Sequence, residues 1–425
     1  MTKVSELIKK IEQGAADDSL LEIYTENHLE EKKARYVELL NRHSELFGDV
    51  EAMIISSPGR TELGGNHTDH NLGNVLAGSV DFDSVCVASL SADQKVVLDS
   101  KGYDAVRLSI DELSKRASEK DTTNALIRGI LFRFDALGHK IGGFNCNMDS
   151  EVLPGSGLSS SASVEVLVGT LVSELFNEGK IGFVEVAKIG QFAENEYFGK
   201  ASGLMDQVAC AAGGVVGIDF RDPEKPVIKP IKYSFDEKGY ELMVTDVRSS
   251  HANLSDEYSA MPEEMKSIAG YFGKSVCREI TIEQLTAAAS VLRERFGDRA
   301  VLRAFHFLNE NERAVAELKA LESDSLTEYF NLVNASGNSS FKYLQNIYLG
   351  TTPKDQSISV GLAFAEQFLS GAGACRVQGG GFAGTIQAYV PKARVKDYIV
   401  YMESIFGEGC SAELRIRNKP ACRVL

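Results

Sequence analysis

Residues 153–165 read LPGSGLSSSASVE: a Gly-x-Gly turn, three consecutive serines, then an apolar run. No other stretch constrains the chain as much. Gly155 and Gly157 lack a Cβ, so the backbone can turn tightly there and approach a ligand closely. The serines open a predicted helix over 160–177, and the free N–H groups and positive dipole end of such a helix converge on one point. A phosphate suits that point. A Gly/Ser loop before a helix also serves as an ordinary capped turn, so the motif needs support from elsewhere in the chain.

Two further stretches supply it. Residues 56–70, SSPGRTELGGNHTDH, follow a predicted strand at 51–57 and crowd Arg60, Glu62, His67, Asp69 and His70 among glycines. Groups that bind hydroxyls and charge, held on a turn, fit a substrate loop; the plainer alternative is a solvated turn. Residues 378–387, QGGGFAGTIQ, hold three consecutive glycines, which cost chain entropy unless the backbone needs unusual angles or close approach. The apolar TIQAYV beyond them predicts an ordered strand rather than a flexible hairpin. Between these, SGLMDQVA (202–209) sets Asp206 among apolar neighbours. A carboxylate there needs partners if buried, and beside a phosphate site it can accept a hydroxyl proton; on an open helix face it would do neither.

Composition narrows the classes. A net charge of −15 argues against nucleic acid or an anionic membrane as partner, while leaving room for a locally bound phosphate. Seven cysteines, an odd number with no C-x-x-C pair, read as reduced thiols in a cytosolic protein. His67 and His70 lack the further ligands of a zinc site. No apolar run reaches membrane-spanning length, and MTKVSELIKKIEQG reads as an amphipathic helix rather than a leader. The 425 residues allow two domains. Hydrophobic spacing predicts helices over 1–48, strands within 75–100, helices at 122–137 and 183–198, and a strand at 213–220. The polar stretch 221–239, with Pro223, Pro226 and Pro230, marks a domain crossover. A strand at ELMVTDV, helices through 257–345 and a last strand pair complete the pattern.

In their order and separations the three glycine-bearing stretches resemble the GHMP kinases, and within that family the galactokinase branch. Its signature runs Gly-Arg-x-Asn-Leu-Ile-Gly-Glu-His-Thr-Asp-Tyr-Asn; this chain reads GRTELGGNHTDHN from Gly59 to Asn71. The resemblance spans residues 35–425. It implies an α+β, two-domain fold: an N-terminal helical elaboration (1–34), a domain like ribosomal protein S5 domain 2 (35–235) and a ferredoxin-like domain (236–425), with the site in the cleft between them. It implies an ATP- and Mg²⁺-dependent cytoplasmic sugar 1-kinase acting on galactose, a monomer or weak homo-oligomer with no nucleic-acid or membrane partner. The alternatives are a kinase for a related sugar and a catalytically silent sugar sensor. The resemblance makes Asp206 the base and Arg60 its electrostatic partner. It puts Ser161 and Glu194 on Mg²⁺, and the ATP phosphates on Gly155, Ser156, Gly157, Leu158, Ser159, Ser160 and Ser161. Asn66, His67, Asp69, Tyr258 (in HANLSDEY) and Gly380 would meet the sugar. NALIRG at 124–129 lies where adenine contacts are expected but matches poorly.

The chain departs from the signature at several positions. Asn66 replaces the signature glutamate, Glu62 the asparagine and His70 the tyrosine; Ala383 replaces a glycine, and SAMPEEMK follows where an arginine pair is usual. An amide at 66 can donate a hydrogen bond to a C6 carboxylate that a glutamate would repel. That brings a uronic acid, a pentose or a differently substituted sugar into range, with galactose retained because an amide also binds a hydroxyl. The intact serine block, Arg60 and Asp206 favour an enzyme over a silent sensor.

Overall fold

The computed structural model describes residues 1–152, 157–200, 202–249, 254–351 and 353–425. Its spine is a long antiparallel pair, Glu51–Gly64 and Asn74–Leu90, at the centre of a nine-stranded sheet. Side chains alternate across a strand, so the nearly continuous apolar run AMII must bury both faces. Met53 and Ile55 pack with Ile127, Leu131 and Leu171 from the helices Thr123–Ala136 and Ser160–Phe176. Ala52 and Ile54 pack on the opposite face with Leu7, Ile11, Tyr36 and Leu40 from the helices Val4–Glu12 and Leu29–Phe47.

The N-terminal residues are therefore one face of this domain's core. Thr2 and Lys3 pair with Ala52 and Glu51, and the helix Leu29–Phe47 runs through the boundary expected at 34. The expected crossover at 221–239 is partly a hairpin: Val227–Ile231 pairs back on Val215–Asp219. Its Pro230 sits on an edge strand, where a missing N–H is tolerated.

The second sheet follows a β-α-β-β-α-β path through Tyr240–Asp246, helix Ser357–Leu369, Ala374–Gln378, Thr385–Pro391, helix Val395–Phe406 and Ser411–Leu414. Across the sheet the first strand lies between the fourth and the third, with the second at the edge, the ferredoxin-like arrangement. Both helices pack on it through Leu362, Ala365, Leu369, Tyr398 and Met402. A helical insert follows the first strand, and its longest helix, Asp298–Glu322, packs back on the strand Asn74–Leu90.

The chain then returns to the first sheet, where Cys422 and Arg423 pair with Ser56 and Ile55. The last residues thus belong structurally with the N-terminal domain, which a single cut at 235/236 does not capture. Register shifts at Pro58/Arg60 and Glu62/Gly64 bend the end of the central strand, as bulges do, and the Gly379–Gly384 turn of the second sheet meets that end.

Candidate active site

The bulged strand end presents Arg60. Its Nε donates to Asp206 Oδ1 at 2.7 Å and its Nη2 to Oδ2 at 3.1 Å, while Nη1 donates to the Gly157 carbonyl at 2.5 Å. This two-pronged pairing orients the carboxylate as well as attracting it. Asp206 lies in the first turn of the helix Met205–Ala212. Ser159 Oγ donates to its Oδ2 at 2.5 Å from a left-handed backbone (φ 59°) at the mouth of the helix Ser160–Phe176. Burial pushes the Asp206 carboxyl upward, but Arg60, Ser159 and Lys200 more than offset this and hold it below the usual carboxylate range. For Arg60, burial opposes the charge and Asp206 outweighs it, so the guanidinium stays protonated.

Ser159, at the N-cap of the helix Ser160–Phe176, makes no side-chain capping bond, and the first turn faces a cavity of about 370 Å³. Gly157, Ser159, Ser160 and Ser161 line that cavity, and Gly379, Gly384 and Thr385 face them from the second sheet. Leu158 instead sends its side chain into the core, and its carbonyl accepts the Arg60 N–H at 3.0 Å. Gly155 and Ser156 lie outside the described residues.

Glu194 is buried on a π-helical turn, Ala193–Phe198, that ends the predicted helix at 183–198. Its Oε1 accepts Ser161 Oγ at 3.0 Å and Lys200 Nζ at 2.8 Å; its Oε2 accepts Gln207 Nε2 at 3.0 Å. Adjacent oxygens on octahedral Mg²⁺, each about 2.1 Å from the ion, sit about 3 Å apart, which is the Ser161–Glu194 spacing. A hydroxyl and a carboxylate beside an open helix N-terminus are the hard donors Mg²⁺ takes, so these residues fit it. No cluster of three or more His, Cys, Asp or Glu able to hold a metal occurs among the described residues.

A second cavity, about 300 Å³, is lined by Glu62, His67, Asp69, His70, Gly203 and Gly380. Burial, then the neighbouring His70, push the His67 imidazole down to about 4. The ring is therefore neutral at pH 7; its Nε2–H donates to the Gly380 carbonyl at 2.9 Å and Nδ1 is left as an acceptor. Tyr258 Oη donates to the Gly381 carbonyl at 2.8 Å. A Cβ at Gly380 would lie 2.8 Å from the Tyr258 ring, and one at Gly381 2.1 Å from the Asn346 carbonyl, so close packing requires glycine at both. Residues 251–253 of HANLSDEY lie outside the described residues.

Asn66 requires a correction. It is fully buried and does not line this second cavity. Its amide nitrogen donates to Glu62 Oε1 and the Gly379 carbonyl, both at 2.9 Å; its Oδ1 accepts from Ser340 Oγ at 3.1 Å and Asn346 Nδ2 at 2.9 Å. All four hydrogen-bonding positions of the amide are taken by protein, leaving none for a sugar. The group that faces the cavity is Glu62, whose Oε1 also accepts Arg376 Nη2 at 2.6 Å. The two departures from the signature, at 62 and 66, are thus one hydrogen-bonded pair in space.

Two features escaped sequence reasoning. Lys200 carries no motif signal. An apolar cavity of about 540 Å³ opens beside Ser160 and Ser161, lined by Leu98, Val106, Leu126, Met148, Val164 and Phe198. Only Leu126 comes from the NALIRG segment. The strands at 95–100 and 106–109 supply two more, and their alternation was the only available signal.

Residues 124–214 match the family model described as the GHMP kinases N terminal domain, and residues 41–90 match the galactokinase galactose-binding signature. A galactokinase of Streptomyces coelicolor is 31% identical over 372 residues, covering 86% of this chain and 91% of that relative. The crystal structure of Lactococcus lactis galactokinase complexed with galactose superposes with a TM-score of 0.75 at 26% identity, over 90% of this chain and 97% of that one. Methanococcus jannaschii mevalonate kinase shares the fold, with a TM-score of 0.61 at 17% identity over 86% of this chain and 98% of that one. The fold is that of a GHMP kinase. Within that class, the chain belongs to the galactokinase family.

Proposed function

We propose that this protein transfers the γ-phosphoryl group of ATP to the anomeric hydroxyl of galactose. The observation that carries the reading is the position of Asp206. Held by Arg60 and Ser159, it lines both the phosphate-side and the sugar-side cavity, so one carboxylate faces donor and acceptor together. Phosphoryl transfer is mainly positioning and charge neutralisation. Asp206, ionised at neutral pH, takes the acceptor's proton as the hydroxyl attacks. Arg60 keeps that carboxylate oriented and ionised. The open helix end at Ser160 and Ser161 holds phosphate oxygens, and the apolar cavity beside it takes the adenine. Mg²⁺, when bound through Ser161 and Glu194, neutralises phosphate charge. His67, Asp69, Tyr258 and Gly380 shape the sugar side.

Glu62 sets the sugar class. A carboxylate on the cavity wall accepts hydroxyls and repels a second carboxylate, so neutral sugars are favoured over uronic acids. We place the reaction in the cytoplasm, where ATP is abundant and the seven free cysteines remain reduced. No helix among the described residues is long and apolar enough to cross a membrane.

Coupled ADP release against galactose, galacturonate, arabinose, N-acetylgalactosamine and glucose tests this reading. The expected result is the highest kcat/KM with galactose and background rates with galacturonate. Preference for galacturonate or arabinose would overturn the sugar assignment. Sugar binding without ADP release across the panel would establish a silent sensor instead.

A further inference from the structure

Five residues line both the sugar-side and the phosphate-side cavities: Arg60, Lys200, Asp206, Gly379 and Gly380. They mark the point where an acceptor hydroxyl and a phosphoryl group would meet. Among the described residues, Arg60 and Lys200 are the only arginine or lysine side chains on either cavity wall.

The two cations are in different states. Arg60 is committed: two of its nitrogens are on Asp206, the third on the Gly157 carbonyl, and its side chain is 10% exposed. Lys200 is anchored at its root and open at its tip. Its backbone N–H and that of Gly199 both donate to the Glu194 carbonyl, at 3.1 and 2.9 Å, closing the π-helical turn over a left-handed Gly199 (φ 96°). The side chain is 58% exposed, and among the described residues its ammonium meets Glu194 Oε1 alone. That leaves two N–H donors for the cavity. The oxygen it holds is also the one bonded to Ser161, so the ammonium rests within one side chain's reach of the open helix end.

We propose that the Lys200 ammonium contacts the γ-phosphoryl group of the bound nucleotide and neutralises its charge during transfer. The proposal rests on the phosphotransferase reading above but not on which sugar is used. Arg60 serves the base and Lys200 serves the phosphoryl oxygens. An exposed lysine beside a preorganised arginine divides the electrostatic work between the two reacting partners.

Lys200→Met and Lys200→Arg test it, using calorimetric binding of ADP and of β,γ-imido-ATP with Mg²⁺, together with steady-state kinetics. For Lys200→Met the imido analogue is expected to weaken about tenfold relative to ADP, the size of one lost charge-assisted hydrogen bond. The kcat is expected to fall about tenfold to a hundredfold with KM for sugar within twofold, somewhat less than loss of a fully buried oxyanion donor because this side chain is exposed. Lys200→Arg should recover most of both. Equal weakening of ADP and the imido analogue, or a loss confined to KM for sugar, would overturn the proposal. Inactivity of the unaltered protein with every sugar would refute the sugar reading alone, and the nucleotide-binding arm would still decide the role of Lys200.

Discussion

Asp206→Asn is expected to lower kcat about 10³-fold, the middle of the range for removing a general base, while sugar and nucleotide binding stay within about threefold. The amide has nearly the same shape, and with its oxygen in the Oδ2 position it still accepts from Ser159 Oγ and Arg60 Nη2, while its NH2 group faces Arg60 Nε and that one hydrogen bond is lost. What it cannot do is take a proton. The pH dependence follows from the same contacts. Burial raises the carboxyl but Arg60 and Ser159 bring it below the ordinary value, so the base is already ionised across the neutral range. The kcat should be flat on falling from neutral pH and drop only as pH passes below the usual carboxylate range. The pH profile of kcat, read with calorimetric binding of galactose to the variant, checks both parts. A variant that keeps a tenth or more of the original kcat would remove Asp206 from the role of base.

Asp83→Ala is expected to destabilise the protein by about 3–5 kcal/mol, the usual penalty for breaking a buried ion pair on one side. Asp83 is fully buried beneath the N-terminal helices. Its Oδ1 accepts Arg35 Nη1 at 2.7 Å; its Oδ2 accepts Tyr24 Oη at 2.6 Å, a short bond from Ser56 Oγ, and lies 3.4 Å from Arg417 Nη1. Removing the carboxylate takes from the fully buried Arg417 its counter-charge, while Arg35 keeps Asp149 and Glu151. Urea unfolding measures the loss; a change below about 1 kcal/mol would contradict this account of the cluster. The sign with pH is also set. Burial raises the Asp83 carboxyl, but Arg35, Arg417 and the two hydroxyls bring it below its unfolded value. Its stabilisation is therefore present above the unfolded carboxylate value and lost as pH falls through the lower folded one. Because Arg417 also holds the returning C-terminal segment, backbone amides near Cys422 and Arg423 should exchange faster in the variant.

The chemistry was more legible in the sequence than the geometry. Arg60, Asp206 and the serine block stand in recognisable local patterns, because a tight turn and an open helix end each need particular residues within a few positions. The pairing of Arg60 with Asp206 across 146 residues is a property of the fold, and only the family resemblance suggested it. Asn66 shows the limit most clearly. Its residue type invited a sugar contact, yet three of the four groups that consume its amide, on Gly379, Ser340 and Asn346, lie hundreds of residues away in sequence. The apolar cavity beside Ser160 could not be read for the same reason, since its walls come from separated segments of the chain. The N-terminal helices were plain from their spacing. Their place was not, because a strand apolar on both sides needs a second layer without naming which segment supplies it. The C-terminal return rests on a pair of two-residue length, too short for any periodicity to register.

The central claim is that a phosphoryl group passes from ATP to the anomeric oxygen of galactose at Asp206. Phosphorus NMR of a reaction holding the protein, galactose, ATP and Mg²⁺ tests it most directly. The account predicts ADP and a single new phosphomonoester signal split by coupling to the anomeric proton, both forming about 10³-fold more slowly with Asp206→Asn. A phosphoester coupled to any other sugar proton, or ADP with free inorganic phosphate in its place, would contradict it.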